Sequence, residues 1–132
     1  MLTLLVGSAA EPLLIHLSTD QVYGGEEAMS TEEGHLPAPI NAYGRSKVAA
    51  EEALRLSWPN HVILRSSIIT GPHAPLQPVD RPLMTDFIVK SLRGAEPVTF
   101  FGDEYRCPIC AYDIVAHIQA LAAAAPGYSA SR

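Results

Sequence analysis

The stretch Leu13-Leu14-Ile15-His16-Leu17-Ser18-Thr19-Asp20-Gln21-Val22-Tyr23-Gly24-Gly25 decides how this chain is read. Leu13–Leu17 is a short, nearly continuous apolar run bounded by Pro12 and a Ser-Thr-Asp cluster. That pattern predicts a strand buried on both faces, as in a parallel sheet. Gly24–Ile40 is polar and acidic and carries Pro37 and Pro39, so it reads as an irregular surface loop. Asn41 then offers an N-cap for a helix from about Ala42 to Leu56, stopped near Trp58-Pro59. On it Ala50, Ala53, Leu54 and Ser57 share a face, and Glu51 with Arg55 makes a favourable i,i+4 pair.

Further along, His61–Leu64 reads as a second strand. Ser66–Pro82 carries Gly71, Pro72, Pro75, Pro78 and Pro82 and reads as a long loop despite Ile68-Ile69. Leu83–Leu92 has helical spacing, with Lys90 and Arg93 near its end and Gly94 as its stop. Pro97–Phe101 is a third strand candidate, and Tyr112–Ala125 a final alanine-rich helix. Strands alternating with helices predict an α/β fold with a parallel sheet.

Composition narrows the function classes. The 132 residues are 48% apolar, enough for one globular core, and mean hydropathy is +0.12. A net charge of −5, with nine scattered basic residues, excludes a nucleic-acid footprint. The one charge run is acidic, from Glu26 to Glu33, and reads as a solvated loop. Met1–Ala10 is apolar but too short to span a bilayer, and it lacks the charged start of a secretory signal. The expectation is no membrane association and a cytoplasmic location. Cys107 and Cys110, three apart, do not make a disulfide framework, which fits a reducing compartment. Cys107-Pro108-Ile109-Cys110 lies too late in the chain for a thioredoxin-like dithiol and reads as two buried or half-buried thiols. No histidine pair has metal-ligand spacing, so no metal is expected, and His16 reads as a satisfied core histidine.

The chemistry sits in Tyr43-Gly44-Arg45-Ser46-Lys47. Tyr43 and Lys47 at i and i+4 project from one face of a helix about a turn apart. A phenol is a poor acid near neutrality, with an ordinary pKa of roughly 10, and a neighbouring ammonium stabilises its anion. Such a pair can give or take a proton. Ser18 and Thr19, at the C-terminal end of the first strand, are where an open α/β sheet binds ligands. A hydroxyl there can orient a carbonyl toward the phenol.

Ser18–Gly24, the Pro-containing acidic loop, Tyr-x-x-x-Lys starting 24 residues after Thr19, and Leu64-Arg65-Ser66-Ser67-Ile68-Ile69-Thr70-Gly71 together resemble extended short-chain dehydrogenases/reductases. The nearest group is the dTDP-4-dehydrorhamnose reductase-like (RmlD-like) one, and the likeness runs from Leu13 to the end. Phe101–Ile109 and Tyr112–Val115 resemble that group's substrate-side turn and following helix. The resemblance implies a Rossmann-type fold and hydride transfer from NAD(P)H to a nucleotide-sugar ketone. It makes Tyr43 the general acid and Thr19 the orienting hydroxyl. Lys47 would support Tyr43 and hold the nicotinamide ribose, Ser66 and Ser67 would border the nicotinamide, and Arg106 would lie on the substrate side. Tyr23 and Tyr105 are further candidates to line the substrate pocket.

Such proteins begin with a strand, a glycine-rich turn and a helix that receives the cofactor's pyrophosphate. Here the only early glycine is Gly7, without partners at fingerprint spacing. The chain therefore reads as residues 1–12, an atypical N-terminal segment, followed by residues 13–132, the C-terminal part of an RmlD-like domain. The dinucleotide-binding strands are missing, and the remaining sheet is expected to show an uncovered apolar edge. On this reading the chain is reductase-like but inactive alone. The alternative is a non-catalytic binding subunit acting on a protein partner, similar to the regulatory β subunit of methionine adenosyltransferase.

Overall fold

The structure is a computed structural model that describes residues 3–6, 12–26, 30, 34–72 and 83–125. Gly7, most of the acidic run, and Pro75, Pro78 and Pro82 lie outside the described residues.

The centre is a β-α-β unit. Strand β2 (Leu13–Thr19) pairs in parallel with β3 (His61–Ser66), from Leu14 opposite His61 to Thr19 opposite Ser66. Between them runs helix α1 (Ala42–Ser57). Asn41 caps it as expected, its Oδ1 accepting the Gly44 N–H at 2.7 Å. At the far end the Trp58 indole donates to the Pro12 carbonyl at 2.9 Å, tying the helix's end to the start of β2. Leu13, Ile15, His16, Ser18 and Thr19 are buried, which fits the apolar run.

The expected open edge of the sheet is covered. Strand β1 (Thr3–Val6) lies antiparallel against β2, from Thr3 opposite His16 to Val6 opposite Leu13. An antiparallel neighbour needs no crossover helix, so a short apolar segment can close a parallel sheet. Residues 3–6 of the N-terminal segment are thus a strand of the same sheet.

On helix α1 the face shared by Ala50, Ala53, Leu54 and Ser57 is at most half-buried. The buried residues of the helix are Gly44 and Glu51, while Ala53 and Ser57 are exposed. The Glu51 side chain is wholly buried, with 0% exposure. Its Oε2 takes Arg65 Nη2 at 2.6 Å, and its Oε1 takes Arg65 Nε at 3.1 Å and the Ser18 hydroxyl at 2.5 Å. Arg55, the partner expected from sequence, reaches the same carboxylate at 3.6 Å. Arg65 Nη1 also donates to the Tyr23 hydroxyl at 2.7 Å and lies over that ring. One carboxylate thus joins α1, β2 and β3. Burial pushes the Glu51 carboxyl up, but the bonds from Arg65 and Ser18 outweigh it and hold the group below its ordinary value.

His16 is buried but only half satisfied. Its Nδ1 lies 3.2 Å from the Thr3 hydroxyl, while its Nε2 has no partner among the described residues. Burial, helped by nearby Lys47, holds its pKa below the ordinary value.

The remaining elements form a looser second part. Strand β4 (Ile69–Thr70) pairs in parallel with β5 (Ile109–Cys110), so the stretch expected to be all loop contains a short strand. Helix α2 spans Met84–Arg93 and ends at Gly94; helix α3 spans Ala111–Ala124 and follows β5 directly. Pro97–Phe101 is not a strand. Its β-formers find no partner strand among the described residues; Phe101 is exposed and Phe100 packs edge-on against Phe87, 6.1 Å between ring centres. Cys110 is half-buried but Cys107 is exposed, contrary to expectation, and both are free thiols. No helix among the described residues is long and apolar enough to cross a membrane.

Two outcomes follow for stability. Replacing Arg65 by Met leaves Glu51 buried without its main partner and should cost about 3–5 kcal/mol, whereas Glu51→Leu combined with Arg65→Met should cost less. Urea denaturation of the two variants beside the parent checks the order. Glu51 and His16 both have folded pKa values below their unfolded ones, so the unfolded chain binds more protons and acid destabilises. The His16 contribution is intact above 6.5 and is lost as pH falls through its lowered value; the Glu51 contribution follows below 4.5. A melting-temperature series should therefore decline in two stages, with His16→Asn removing the first.

Candidate active site

A cleft of about 320 Å³ opens at the C-terminal ends of β2 and β3, lined by Thr19, Asp20, Gln21, Tyr43, Ser67, Ile68, Met84, Glu104 and Arg106. It collects four of the residues singled out from sequence: Thr19, Tyr43, Ser67 and Arg106. The end of a parallel strand pair is where backbone groups leave the ladder and side chains from several loops can converge.

Thr19 ends β2 and caps the 3-10 turn Asp20–Val22, its Oγ1 accepting the Gln21 N–H at 3.3 Å and donating to Asp20 Oδ1 at 3.2 Å. Tyr43 stands on the first turn of α1, lines the cleft and is 50% exposed. The Lys47 ammonium lies 5.7 Å from the centre of the Tyr43 ring and donates to the Leu17 carbonyl at 2.8 Å. An ammonium carries three protons, so two remain for other acceptors. Lys47 does not itself line the cleft; it stands behind Tyr43.

Gly44 explains how α1 comes so close. A Cβ on it would stand 2.1 Å from the Gln21 carbonyl oxygen and 2.9 Å from the Pro39 side chain. Only glycine lets the first turn of α1 rest against the 3-10 turn, which brings Tyr43 beside Thr19.

The other candidates are placed differently. The Tyr23 hydroxyl is taken by Arg65, and Tyr23 does not line the cleft. Ser66 is the last residue of β3, opposite Thr19, and Tyr105 is largely exposed away from the lining. Arg106 does line the cleft, held by Glu104 at 2.7 Å and Asp20 at 3.5 Å, and these carboxylates raise its pKa. Asp20, Gln21 and Glu104 were not singled out from sequence. Asp20 and Gln21 could have been, since they follow the strand end that Thr19 marks.

The residues present fit the nicotinamide side of a dinucleotide. The Ser67 hydroxyl is buried and has no partner among the described residues, so a polar group entering the cleft would satisfy it. Lys47 gives one proton to the Leu17 carbonyl and has two more with no hydrogen-bond partner among the described residues.

A βαβ unit with a strand-end threonine, Tyr-x-x-x-Lys on the crossover helix and a cleft at the strand ends is the arrangement expected from the resemblance to short-chain dehydrogenases/reductases. A sequence profile of the RmlD substrate binding domain matches residues 6–129, and the chain belongs to that family. It is 33% identical over 112 residues to a dTDP-4-dehydrorhamnose reductase of Sinorhizobium fredii, covering 83% of this chain and 34% of that one. It is 37% identical over 94 residues to a probable low-salt glycan biosynthesis reductase of Haloferax volcanii, covering 71% and 31%. Among solved structures, a dTDP-4-dehydrorhamnose reductase of Bacillus anthracis in complex with NADP superposes with a TM-score of 0.69 at 25% identity, over 83% of this chain and 37% of that one. The chain thus spans about a third of the length of these relatives.

Gly44→Ala tests the close approach. Alanine favours a helix by about 1 kcal/mol over glycine, but the new methyl meets a backbone carbonyl that cannot rotate away. The net expectation is a loss of about 1–3 kcal/mol, read from the urea midpoint, instead of the usual gain.

Proposed function

We propose that this chain is the substrate-side half of an NAD(P)-dependent reductase acting on a nucleotide-sugar ketone. The observation that carries the reading is the shared cleft of Thr19, Tyr43, Ser67 and Arg106 with Lys47 behind Tyr43. The names of the relatives, dTDP-sugar reductases and one in complex with NADP, support the substrate class and the cofactor.

Ser67 and Lys47 would border a nicotinamide bound there, which would supply the hydride for the carbonyl carbon. The Tyr43 hydroxyl gives its proton to the carbonyl oxygen, so the ketone leaves as an alcohol. The phenolate left behind is stabilised by the Lys47 ammonium, and its exposure lets solvent return the proton. The Thr19 hydroxyl would orient the carbonyl by turning its proton from Asp20 Oδ1 to the carbonyl oxygen, and Arg106 adds positive charge on the substrate side.

The 132 residues contain no glycine-rich phosphate turn, so turnover by these residues alone is not expected. A second reading, a non-catalytic subunit that docks on a protein such as methionine adenosyltransferase, draws on the exposed Leu92, Phe101 and Tyr105. A change in the transferase's kinetics on adding this chain would favour it.

The test of the first reading joins Leu13–Arg132 to the preceding part of the Sinorhizobium fredii reductase and follows NADPH oxidation with dTDP-4-dehydrorhamnose. The chimera should turn over, and Tyr43→Phe should lower its rate by about 10²–10⁴-fold. Titrating NADPH fluorescence with the 132-residue chain should show no saturable binding at micromolar levels; saturable binding there would sink the claim that it cannot hold the dinucleotide alone.

A further inference from the structure

We propose that the β2 edge covered by β1 is the docking edge for the dinucleotide-binding half of a reductase carried on another polypeptide, with β1 a displaceable strap over it. This rests on the cleft's being the substrate-side half of such a reductase. Strand direction, length and burial carry the argument.

Strand β2 is built as an interior strand. Its run Leu13–Leu17 is nearly all apolar, and Leu13, Ile15, His16, Ser18 and Thr19 are buried. On one side β3 pairs with it in parallel as far as Thr19. On the other side β1 pairs with it only from Leu13 to His16. Leu17, Ser18 and Thr19, the residues nearest the cleft, have no strand on that side among the described residues.

Strand β1 holds its place weakly. It is four residues long, none of them is buried, and Leu5 is 62% exposed. A side-chain contact between the Thr3 hydroxyl and His16 Nδ1, at 3.2 Å, adds to the backbone ladder.

Its direction is also wrong for this cleft. An open α/β sheet binds a dinucleotide at the carboxyl ends of its parallel strands, and the turn that receives the pyrophosphate follows such a strand. Antiparallel β1 brings its first residue, Thr3, nearest the cleft and its last, Val6, to the far end beside Leu13. It cannot place a phosphate turn beside Thr19. A parallel strand running along that edge to Thr19 would deliver one there, on the side where the Ser67 hydroxyl is buried without a partner among the described residues. The chain covers 34% of the Sinorhizobium fredii reductase and 37% of the Bacillus anthracis one, so most of such a protein lies outside these residues and is large enough to cover the edge. A strap on the same chain competes with an incoming strand at an effective concentration on the order of millimolar, and docking weakens by the fraction of chains whose edge is free.

The experiment mixes the 132-residue chain with the part of the Sinorhizobium fredii reductase used in the chimera, supplied as a separate polypeptide. Association is read by analytical ultracentrifugation, and NADPH oxidation is followed with dTDP-4-dehydrorhamnose. The parent should form a heterodimer that oxidises NADPH. Leu4→Pro with Leu5→Pro removes ladder donors from β1 and should tighten association about tenfold. Leu5→Cys with Leu14→Cys, in a Cys107→Ser and Cys110→Ser background, closes the strap. Residues facing each other across an antiparallel pair stand about 4.5–5.5 Å apart, within reach of a disulfide. Oxidation of this variant should abolish association and reduction restore it, a comparison that does not depend on how the proline variant folds. An oxidised lock that binds as tightly as its reduced form, or a folded proline variant no tighter than the parent, would mean that β1 does not guard the edge. Assembly of the 132-residue chain with itself in preference to the reductase part would mean that the edge takes a second copy. Absence of association in every variant while the fused chimera turns over would mean that the edge does not dock a separate half. Each of these overturns the proposal and leaves the reductase reading standing; failure of the fused chimera as well removes both.

Discussion

The buried carboxylate of Glu51 is the constraint on which the arrangement turns. A charge with 0% exposure is tolerable only if every lone pair is used, and Arg65 and Ser18 use them from two different strands. Such a pair adds little net stability over well-packed apolar residues, because desolvation offsets most of the attraction. Its effect is on geometry. Sliding α1 by one residue along the sheet would strand the carboxylate, so the register of the helix is fixed. Lys47 and Tyr43 follow at one and two turns' distance on the same helix, and the cleft inherits that register.

The same residues show what the sequence could and could not disclose. Strands β2 and β3, helix α1 and its Asn41 cap were legible because apolar runs, capping residues and stop signals are local. Glu51 was not, because Arg55 four residues on gave it an ordinary surface explanation, while its main partner lies 14 residues away. Strand β1 was missed because its four residues, Thr-Leu-Leu-Val, are too few to show a period in sequence and become a strand only by pairing with β2. Pro97–Phe101 erred the other way, with strand propensity but no neighbour to pair with.

The site was legible in part for the same reason. Tyr43 and Lys47 are placed by helix spacing and Thr19 by a strand end, all local geometry. Tyr23 looked like a pocket residue because aromatics often are; only the position of Arg65 shows that its hydroxyl is committed elsewhere. Gln21 lines the cleft with its side chain held by Asn41, the cap of a helix that begins 21 residues later, a relation invisible in residue types.

Lys47 has a second duty with a consequence for how its variants behave. Its ammonium satisfies the Leu17 carbonyl, at the point on β2 just beyond the end of the β1 pairing at Thr3 and His16. The group that would support proton transfer is therefore also a tie between α1 and the main chain of β2. Removing it leaves the Leu17 carbonyl without that donor, so any loss of chemistry would arrive together with a looser seat for the first turns of α1. A chain altered at Lys47 is therefore changed in its scaffold as well as in its cleft.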